Sequence, residues 1–169
     1  MSPVGSYEAL YAAIEAGCNS VYFGVEGLNM RSRSANNFTI DDLRKIASIA
    51  QEHGVRTYLT LNTVVYDSEM EYMKQIVNAA KESGVTAVIA ADLSVIQYAN
   101  QIGLEVHLST QCNITNSEAV RFFSKFADVI VTARELSLQQ VKAITQWIEE
   151  NNIKGPSGRQ LEIECFVHG

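Results

Sequence analysis

The sequence of 169 residues, 47% of them apolar, is long enough for one domain with a sizeable core. Its net charge of −6, from 13 basic and 19 acidic residues, disfavours a broad phosphate-binding surface, and no apolar run approaches the ~20 residues of a membrane span. Three widely spaced cysteines, Cys18, Cys112 and Cys165, indicate free thiols in a reducing compartment. Met1 leads into Ser2–Gly5 without the basic and apolar segments of a signal peptide, so we expect a cytoplasmic protein.

A unit of helix, glycine and apolar strand recurs along the chain. Glycine accepts the left-handed conformation that often ends a helix, and several glycines are each followed shortly by an apolar, β-branched run. These glycines are Gly17, Gly54, Gly84 and Gly103. The predicted strands are Val21–Phe23, Thr57–Leu61, Ala87–Ile89, Val106–Leu108, Val129–Val131 and Ile163–Val167.

Capping patterns predict where three of the helices begin. Ser68 and Ser137 each stand three residues before a Glu or Gln, which is the capping-box pattern, and Thr39 with Asp42 is a near relative. Apolar residues follow at helical spacing, and we interpret them as core packing against a sheet. They are Leu43, Ile46, Ala47 and Ala50; Met70, Met73, Ile76 or Val77, and Ala80; and Val141, Ile144, and Trp147 or Ile148.

Alternating strands and helices predict a parallel sheet with right-handed crossovers, either an open doubly wound sheet or a (β/α)8 TIM-type barrel. The ends of the sequence favour the barrel. Pro3–Ser6 begins a helix with no strand before it, and His168 and Gly169 end a strand with no helix after it. A whole barrel needs about 250 residues. We therefore expect residues 1–169 to form a single α/β domain, an incomplete barrel of about six parallel strands truncated at both ends.

Polar side chains follow each predicted strand, and in parallel β/α folds the strand ends carry the site. We predict that cations bind an anionic group of the substrate, that amides form hydrogen bonds with it, and that a carboxylate and an imidazole transfer protons. The cations are Arg31, Arg33 and Arg134, the amides are Asn62, Gln111 and Asn113, and the proton-transfer residues are Glu135 and His168.

Several of these residues have a structural alternative. Arg31 and Arg33 would be solvated loop charges, and Arg134 would form a salt bridge with Asp92 or Glu26 as part of the scaffold. His107, which lies inside a strand, is interpreted as structural. The sequence has no nucleophile elbow, zinc-protease motif, phosphate loop or dinucleotide-binding motif, and no metal site can be built from local spacing.

Short segments at the strand ends form a recognisable set. They are Ser2–Ser6, Val21–Gly24, Asn29–Arg31, Leu61–Thr63, Ser109–Asn113, Ala133–Ser137 and Phe166–Gly169. In this order and at this spacing, they resemble the collagenase-like peptidase family of unknown catalytic type, peptidase family U-32. The resemblance covers almost the whole chain, and Arg-Glu-Leu-Ser followed by Phe-Val-His-Gly is its most specific part.

The resemblance implies a TIM-like barrel at the N-terminal end of a longer protein, acting as a peptidase on a substrate bound at the barrel mouth. It also implies an alternative, an iron–sulfur-dependent hydroxylation factor for RNA bases of tRNA or rRNA, or for a ubiquinone precursor. The cluster would be held by four cysteines that follow the Phe166–Gly169 segment. We therefore expect no cofactor or metal in this chain itself.

The expected partners follow from the same comparison and from the predicted fold. The substrate would be a peptide, an RNA base or a small ring compound, and no membrane partner is expected. A barrel that lacks its first and last strands exposes two unpaired strand edges, and such edges recruit partners. We therefore expect the isolated chain to be inactive and to associate with itself through these edges.

Overall fold

The computed structural model describes residues 1–28 and 38–166, which contain one parallel sheet with a helix between successive strands. The strands are β1 (Ser2–Pro3), β2 (Ser20–Phe23), β3 (Arg56–Leu61), β4 (Ala87–Ala90), β5 (Glu105–Leu108), β6 (Val129–Val131) and β7 (Glu162–Glu164). The helices are α1 (Tyr7–Glu15), α2 (Ile40–Glu52), α3 (Met70–Glu82), α4 (Leu93–Gln101), α5 (Ser117–Phe123) and α6 (Leu138–Glu150). None of the helices in these residues is long and apolar enough to cross a membrane.

The strands lie side by side in chain order from β1 to β7, and every neighbouring pair is parallel. A doubly wound sheet would reverse its order at a switch point, so this order excludes that alternative. Right-handed crossovers between consecutive strands place the helices on one face, and the other face becomes the concave side of a half-barrel. The predicted barrel-type α/β fold is confirmed, with seven strands in residues 1–28 and 38–166 instead of about six.

The additional strand, β1, lies where the sequence pattern indicated only a turn. Ser2 and Pro3 pair with Val21 and Tyr22, and the N–H of Val4 donates to the carbonyl of Tyr22 at 3.0 Å. The expectation that no strand precedes α1 was therefore wrong. A two-residue strand is too short to show alternation, and its proline, which lacks an N–H, is tolerated at the edge of a sheet.

Alternation along the strands separates the two faces of the sheet. Leu59, Leu61, Val88 and Leu108 are fully enclosed in the apolar core between sheet and helices. The predicted helical stripes bury Leu43, Ile46, Ala47 and Ala50 of α2, Met73, Ile76, Val77 and Ala80 of α3, and Ile144 and Ile148 of α6. Burial of these helix faces fixes each helix over the sheet and confirms the stripes at these positions.

Two of the three predicted capping boxes are confirmed. Thr39 with Asp42 begins α2 and Ser137 with Gln140 begins α6, each through reciprocal hydrogen bonds. The box predicted at Ser68 was wrong. There the carboxylate of Glu69 accepts from the N–H of Tyr66 at 2.9 Å, and a short 3-10 turn leads into α3. Because the carboxylate of Glu69 caps the N–H of Tyr66 directly, the turn begins at Tyr66, two residues before the serine that the pattern indicated.

A hydrogen bond between Tyr7 and Asp42 joins α1 to α2. The phenol of Tyr7 donates to Asp42 Oδ1 at 2.7 Å, and Asp42 Oδ2 accepts from the N–H and hydroxyl of Thr39 at 2.9 and 2.8 Å. Burial, together with the carboxylate it binds, raises the pKa of Tyr7 from 10.0 to about 12. The hydrogen bond from Tyr7 is in turn the main cause that lowers the pKa of Asp42.

We predict that Tyr7→Phe lowers the free energy of unfolding at neutral pH by about 1 kcal/mol, because a hydrogen bond to a carboxylate is lost. The folded-state pKa of Tyr7 is raised, so its contribution is complete below pH 10.0 and disappears as pH rises to about 12. Urea unfolding of both proteins across this window measures the difference, with Tyr11→Phe as the control on an exposed tyrosine of α1. A difference that stays constant with pH would contradict the assignment.

Candidate functional site

Two amide side chains meet at the carboxyl ends of β3 and β5. Asn62 Nδ2 donates a hydrogen bond to Gln111 Oε1 at 3.2 Å, and the hydroxyl of Ser109 donates to the same oxygen. Asn62 directly follows β3, and Ser109, itself buried, directly follows β5. Because parallel strands end at one edge of the sheet, residues 49 positions apart in the chain come together there.

The double hydrogen bond fixes the orientation of the Gln111 amide. Its carbonyl oxygen is engaged by Ser109 and Asn62, so the exposed side chain presents its Nε2 amide group, a donor, to a ligand. A donor held in this way suits a carbonyl or carboxylate oxygen. Preorganisation by neighbouring side chains lowers the entropy lost when such a ligand binds.

Arg134 lies at the same edge of the sheet, after β6. The hydroxyl of Thr110 donates to the carbonyl of Thr132 at 3.3 Å, which joins the turn that carries Gln111 to the segment that carries Arg134. The guanidinium of Arg134 is exposed and stands over the ring of Phe166, 4.4 Å from its centroid. Such a stack holds the cation in place and leaves its N–H groups available in the plane.

The scaffold alternative for Arg134 required a salt bridge with Asp92 or Glu26. Within the described residues Arg134 forms no salt bridge. Asp92 instead caps α4: it accepts from the N–H of Ser94 at 2.8 Å and from the N–H of Val65 at 3.0 Å. Burial acts to raise the pKa of Asp92, but these hydrogen bonds outweigh it, and the pKa lies below its ordinary value.

The other predicted residues are not joined to the pair formed by Asn62 and Gln111. Asn113 has a left-handed backbone (φ 50°) and ends the turn after β5, so its residue type is explained by that turn. Glu135 is exposed beside Arg134 and makes no hydrogen bond or salt bridge within the described part of the chain. Arg31, Arg33 and His168 lie outside the described residues.

A polar row on the concave face is the main feature that the sequence reasoning did not identify. His107 Nε2 lies 3.1 Å from Glu105 Oε1, and Arg159 Nη2 donates to Glu105 Oε2 at 2.7 Å. The ring of Tyr58 packs on the imidazole at a centroid distance of 4.9 Å, and burial raises the pKa of Tyr58. The signal was the alternation of Glu105, His107 and Ser109, which places all three on one face of β5.

The imidazole of His107 is almost fully enclosed, since its side chain is 6% exposed. Its Nδ1 atom is buried and has no hydrogen-bond partner within the described residues. A proton on Nε2 would be donated to the carboxylate of Glu105, and in that tautomer Nδ1 is an acceptor. His107 lies one pleat below Ser109 on this face. Its burial and its contact with Glu105 agree with the interpretation that it is a structural residue.

The cysteines of this chain do not fit the iron–sulfur cluster that the sequence resemblance implies for the longer protein. In the part of the chain that is described, no group of three His, Cys, Asp or Glu side chains is placed to hold a metal ion. Cys18 is partly buried, and Cys165 is exposed. Cys112 directs its thiol toward the carbonyl of Ala91 at 3.9 Å, and burial raises the pKa of that thiol.

Comparisons with known proteins identify relatives over the whole chain. A collagenase of Porphyromonas gingivalis is 57% identical over 169 residues, which cover all of this chain and 41% of that protein. The tRNA hydroxylation protein P1 of Bacillus subtilis is 29% identical over 172 aligned residues, which cover all of this chain and 38% of that protein. The chain therefore spans less than half the length of these curated relatives.

The fold agrees with a solved member of one family. The solved structure of a U32 peptidase, 17% identical, superposes with a TM-score of 0.70 and covers 86% of this chain and 65% of its own. The sequence model of peptidase family U32 matches residues 5–169. Because this match extends over nearly every residue, the chain belongs to peptidase family U32.

Proposed function

We propose that this chain forms the substrate-binding mouth of a peptidase and binds a polypeptide across the carboxyl ends of its strands. The observation that carries the proposal is the amide of Gln111, which Ser109 and Asn62 hold in one orientation at this edge. An amide N–H fixed in this way complements a peptide carbonyl. The collagenase that is 57% identical to the chain supports polypeptide as the substrate class.

Peptide hydrolysis requires two proton transfers and stabilisation of negative charge. A base takes a proton from the attacking water, and an acid gives a proton to the departing amine. We assign these roles to Glu135 and His168, which follow the ends of β6 and β7 in the sequence. Arg31, Arg33 and Arg134 supply positive charge for a carboxylate of the substrate or for the oxyanion that develops at the carbonyl.

The placement of Arg134 supports this assignment of roles. Its guanidinium stacks on Phe166, which stands two residues before His168 in the sequence, and Glu135 is its immediate neighbour. Arg134 and Glu135 therefore lie on the connection after β6, against the segment that follows β7. Gln111 and Asn62 follow β5 and β3 at the same edge of the sheet, which supports a shared site for substrate binding and proton transfer there.

The alternative function is hydroxylation of RNA bases, which the name of the Bacillus subtilis relative indicates for that protein. It would require cluster-binding cysteines beyond those of this chain, because Cys18, Cys112 and Cys165 do not form such a site. Iron and sulfide analysis of the longer protein, purified without oxygen, tests it together with a peptide-cleavage assay. A cluster with no peptide cleavage would favour hydroxylation, and cleavage without a cluster would favour the peptidase.

We further propose a cytoplasmic location and self-association of the isolated chain. Three free thiols, one of them exposed, suit a reducing compartment. The sheet edges β1 and β7 would mediate association, although Pro3, Glu162 and Glu164 on these strands are residue types that oppose edge pairing. Light scattering of the isolated chain tests this, and a monomer at all concentrations would contradict it.

We predict that Gln111→Leu in the longer protein lowers kcat/KM for peptide cleavage about tenfold, because one preorganised hydrogen bond to the substrate is lost. The free energy of unfolding should change by less than about 0.5 kcal/mol, since the side chain is exposed. Gln146→Leu, on the exposed face of α6, is the matched control and should leave both quantities unchanged. An equal loss of activity in both variants would contradict the proposed role of Gln111.

We predict that Arg134→Gln and Arg31→Gln impair peptide cleavage more than folding. Each removes a cation for an anionic group of the substrate, and loss of such a contact weakens binding by about tenfold or more. Arg44→Gln, on α2, is the control for loss of one positive charge. Steady-state kinetics and thermal unfolding of the three variants make the test. Thermal destabilisation in proportion to lost activity would favour the scaffold interpretation instead.

A further inference from the structure

Three large apolar side chains are exposed on the connections that follow β3 and β4. Val64 and Tyr66 are each 67% exposed, and Leu93 is 61% exposed. Val65, between the first two, is partly buried and packs against the core. Alternation along this segment therefore turns Val64 and Tyr66 outward while Val65 anchors the loop. We call Val64, Tyr66 and Leu93 the apolar rim.

The apolar rim stands on a backbone that is fixed by hydrogen bonds. The carboxylate of Asp92 accepts from the N–H of Val65 at 3.0 Å and from the N–H and hydroxyl of Ser94 at 2.8 and 2.6 Å. One side chain thus ties the loop after β3 to the first turn of α4, which begins with Leu93. Because these loops are already ordered, less entropy is lost when a ligand binds to them.

The apolar rim stands on connections that begin at the same sheet edge as the proposed substrate site. Val64 and Tyr66 follow Asn62 by two and four residues, and Leu93 follows the last residue of β4 by three. The thiol of Cys112, next to Gln111, approaches the carbonyl of Ala91 at 3.9 Å, so the Gln111 turn touches the segment that leads to Leu93. A ligand bound to the amide of Gln111 would therefore extend toward this rim.

The charge of this region discriminates between polypeptide and nucleic acid. Residues 57–73 and 82–120, which include the loops after β3, β4 and β5, contain no lysine or arginine. Asp67, the residue after Tyr66, is exposed, and Glu69 follows two residues later. A phosphate backbone needs cations along its path, so this part of the mouth opposes RNA. The same acidic and apolar surface complements a polypeptide with apolar and basic side chains.

We propose that the apolar rim is a subsite for a large apolar side chain of a polypeptide substrate, with Asp67 facing a basic residue next to it. The inference rests on the peptidase function proposed above and adds a sequence preference to it. An aliphatic side chain such as Leu would bury apolar surface against Tyr66 and Leu93. A lysine or arginine beside it would form an ion pair with the carboxylate of Asp67. Glycine in place of the apolar residue would forfeit this contact.

The test measures cleavage of fluorogenic peptides by the longer protein, with Leu or Gly at each position in turn and Lys or Glu beside it. The wild type should prefer Leu over Gly at one position. Tyr66→Ser and Leu93→Ser should each reduce that preference about tenfold, mainly through KM for the Leu peptide. Tyr11→Ser, an exposed tyrosine on α1, should keep the wild-type preference.

The charge component has its own variant and readout. Asp67→Asn should remove the preference for Lys over Glu while it leaves the preference for Leu over Gly intact. Because Asp67 and the rim residues are exposed, thermal unfolding of all variants should match the wild type. A variant that loses both preferences and melts at a lower temperature would overturn the assignment of its side chain to the subsite.

The outcomes separate this inference from the proposed function. Peptide cleavage by the wild type with equal rates for Leu and Gly peptides would overturn the subsite and keep the peptidase. Binding of a fluorescent single-stranded RNA that Tyr66→Ser weakens would overturn both. Self-association that Tyr66→Ser abolishes, with unchanged peptide preference, would show that the rim contacts a second copy and would overturn the subsite alone.

Discussion

Each strand from β1 to β7 pairs in parallel with its neighbour in the sequence, so every connection must cross the same face of the sheet. This constraint sends the helices to one side and gathers all carboxyl ends of the strands at one edge. Asn62 and Gln111, on connections 49 residues apart, meet there through one hydrogen bond. The site is thus a consequence of strand direction, and the loops only decide which side chains stand at it.

The periodic features of the sequence predicted most of this fold. Glycines predicted where helices end. Gly17 and Gly54 have positive φ values, 77° and 66°, which favour glycine at the C-terminal end of a helix. Features without a sequence period were not predicted. One is β1, which is two residues long, and the other is the turn before α3, where the carboxylate of Glu69 forms the cap that had been expected from a serine. Neither feature produces a repeating pattern in the sequence, because β1 consists of one pair of residues and the turn before α3 is capped by one hydrogen bond.

The sheet edge at which several candidate residues lie could be predicted from the sequence, whereas their side-chain contacts could not. Strand ends could be read from the sequence, and Asn62, Gln111 and Arg134 all lie at the expected edge. The contact partner of each side chain could not be predicted from the sequence, because the two partners belong to different connections between strands. Arg134 had been given an acidic partner as its structural alternative, yet its described neighbour is the ring of Phe166. Tertiary contacts between distant loops decide such pairings.

The concave face shows how the sheet accommodates an enclosed imidazole. Tyr58, Glu105 and His107 occupy alternate positions of β3 and β5, opposite the apolar face that packs on the helices. An enclosed imidazole is tolerable because Glu105 binds one nitrogen and Arg159 neutralises that carboxylate. This row lies one pleat and more below Ser109, so it supports the strand ends that carry Asn62 and Gln111.

The arrangement of charge at the mouth gives the strongest argument about the ligand. The predicted cations follow β2 and β6, whereas the loops after β3, β4 and β5 carry no lysine or arginine. Four strand spacings separate β2 from β6, about 19 Å along the sheet. Nucleic acid needs neutralising contacts at successive phosphates, which this gap interrupts. A polypeptide needs a cation only where it carries a carboxylate, and between such points it needs amide partners and apolar contacts, the roles that we propose for Asn62, Gln111 and the apolar rim.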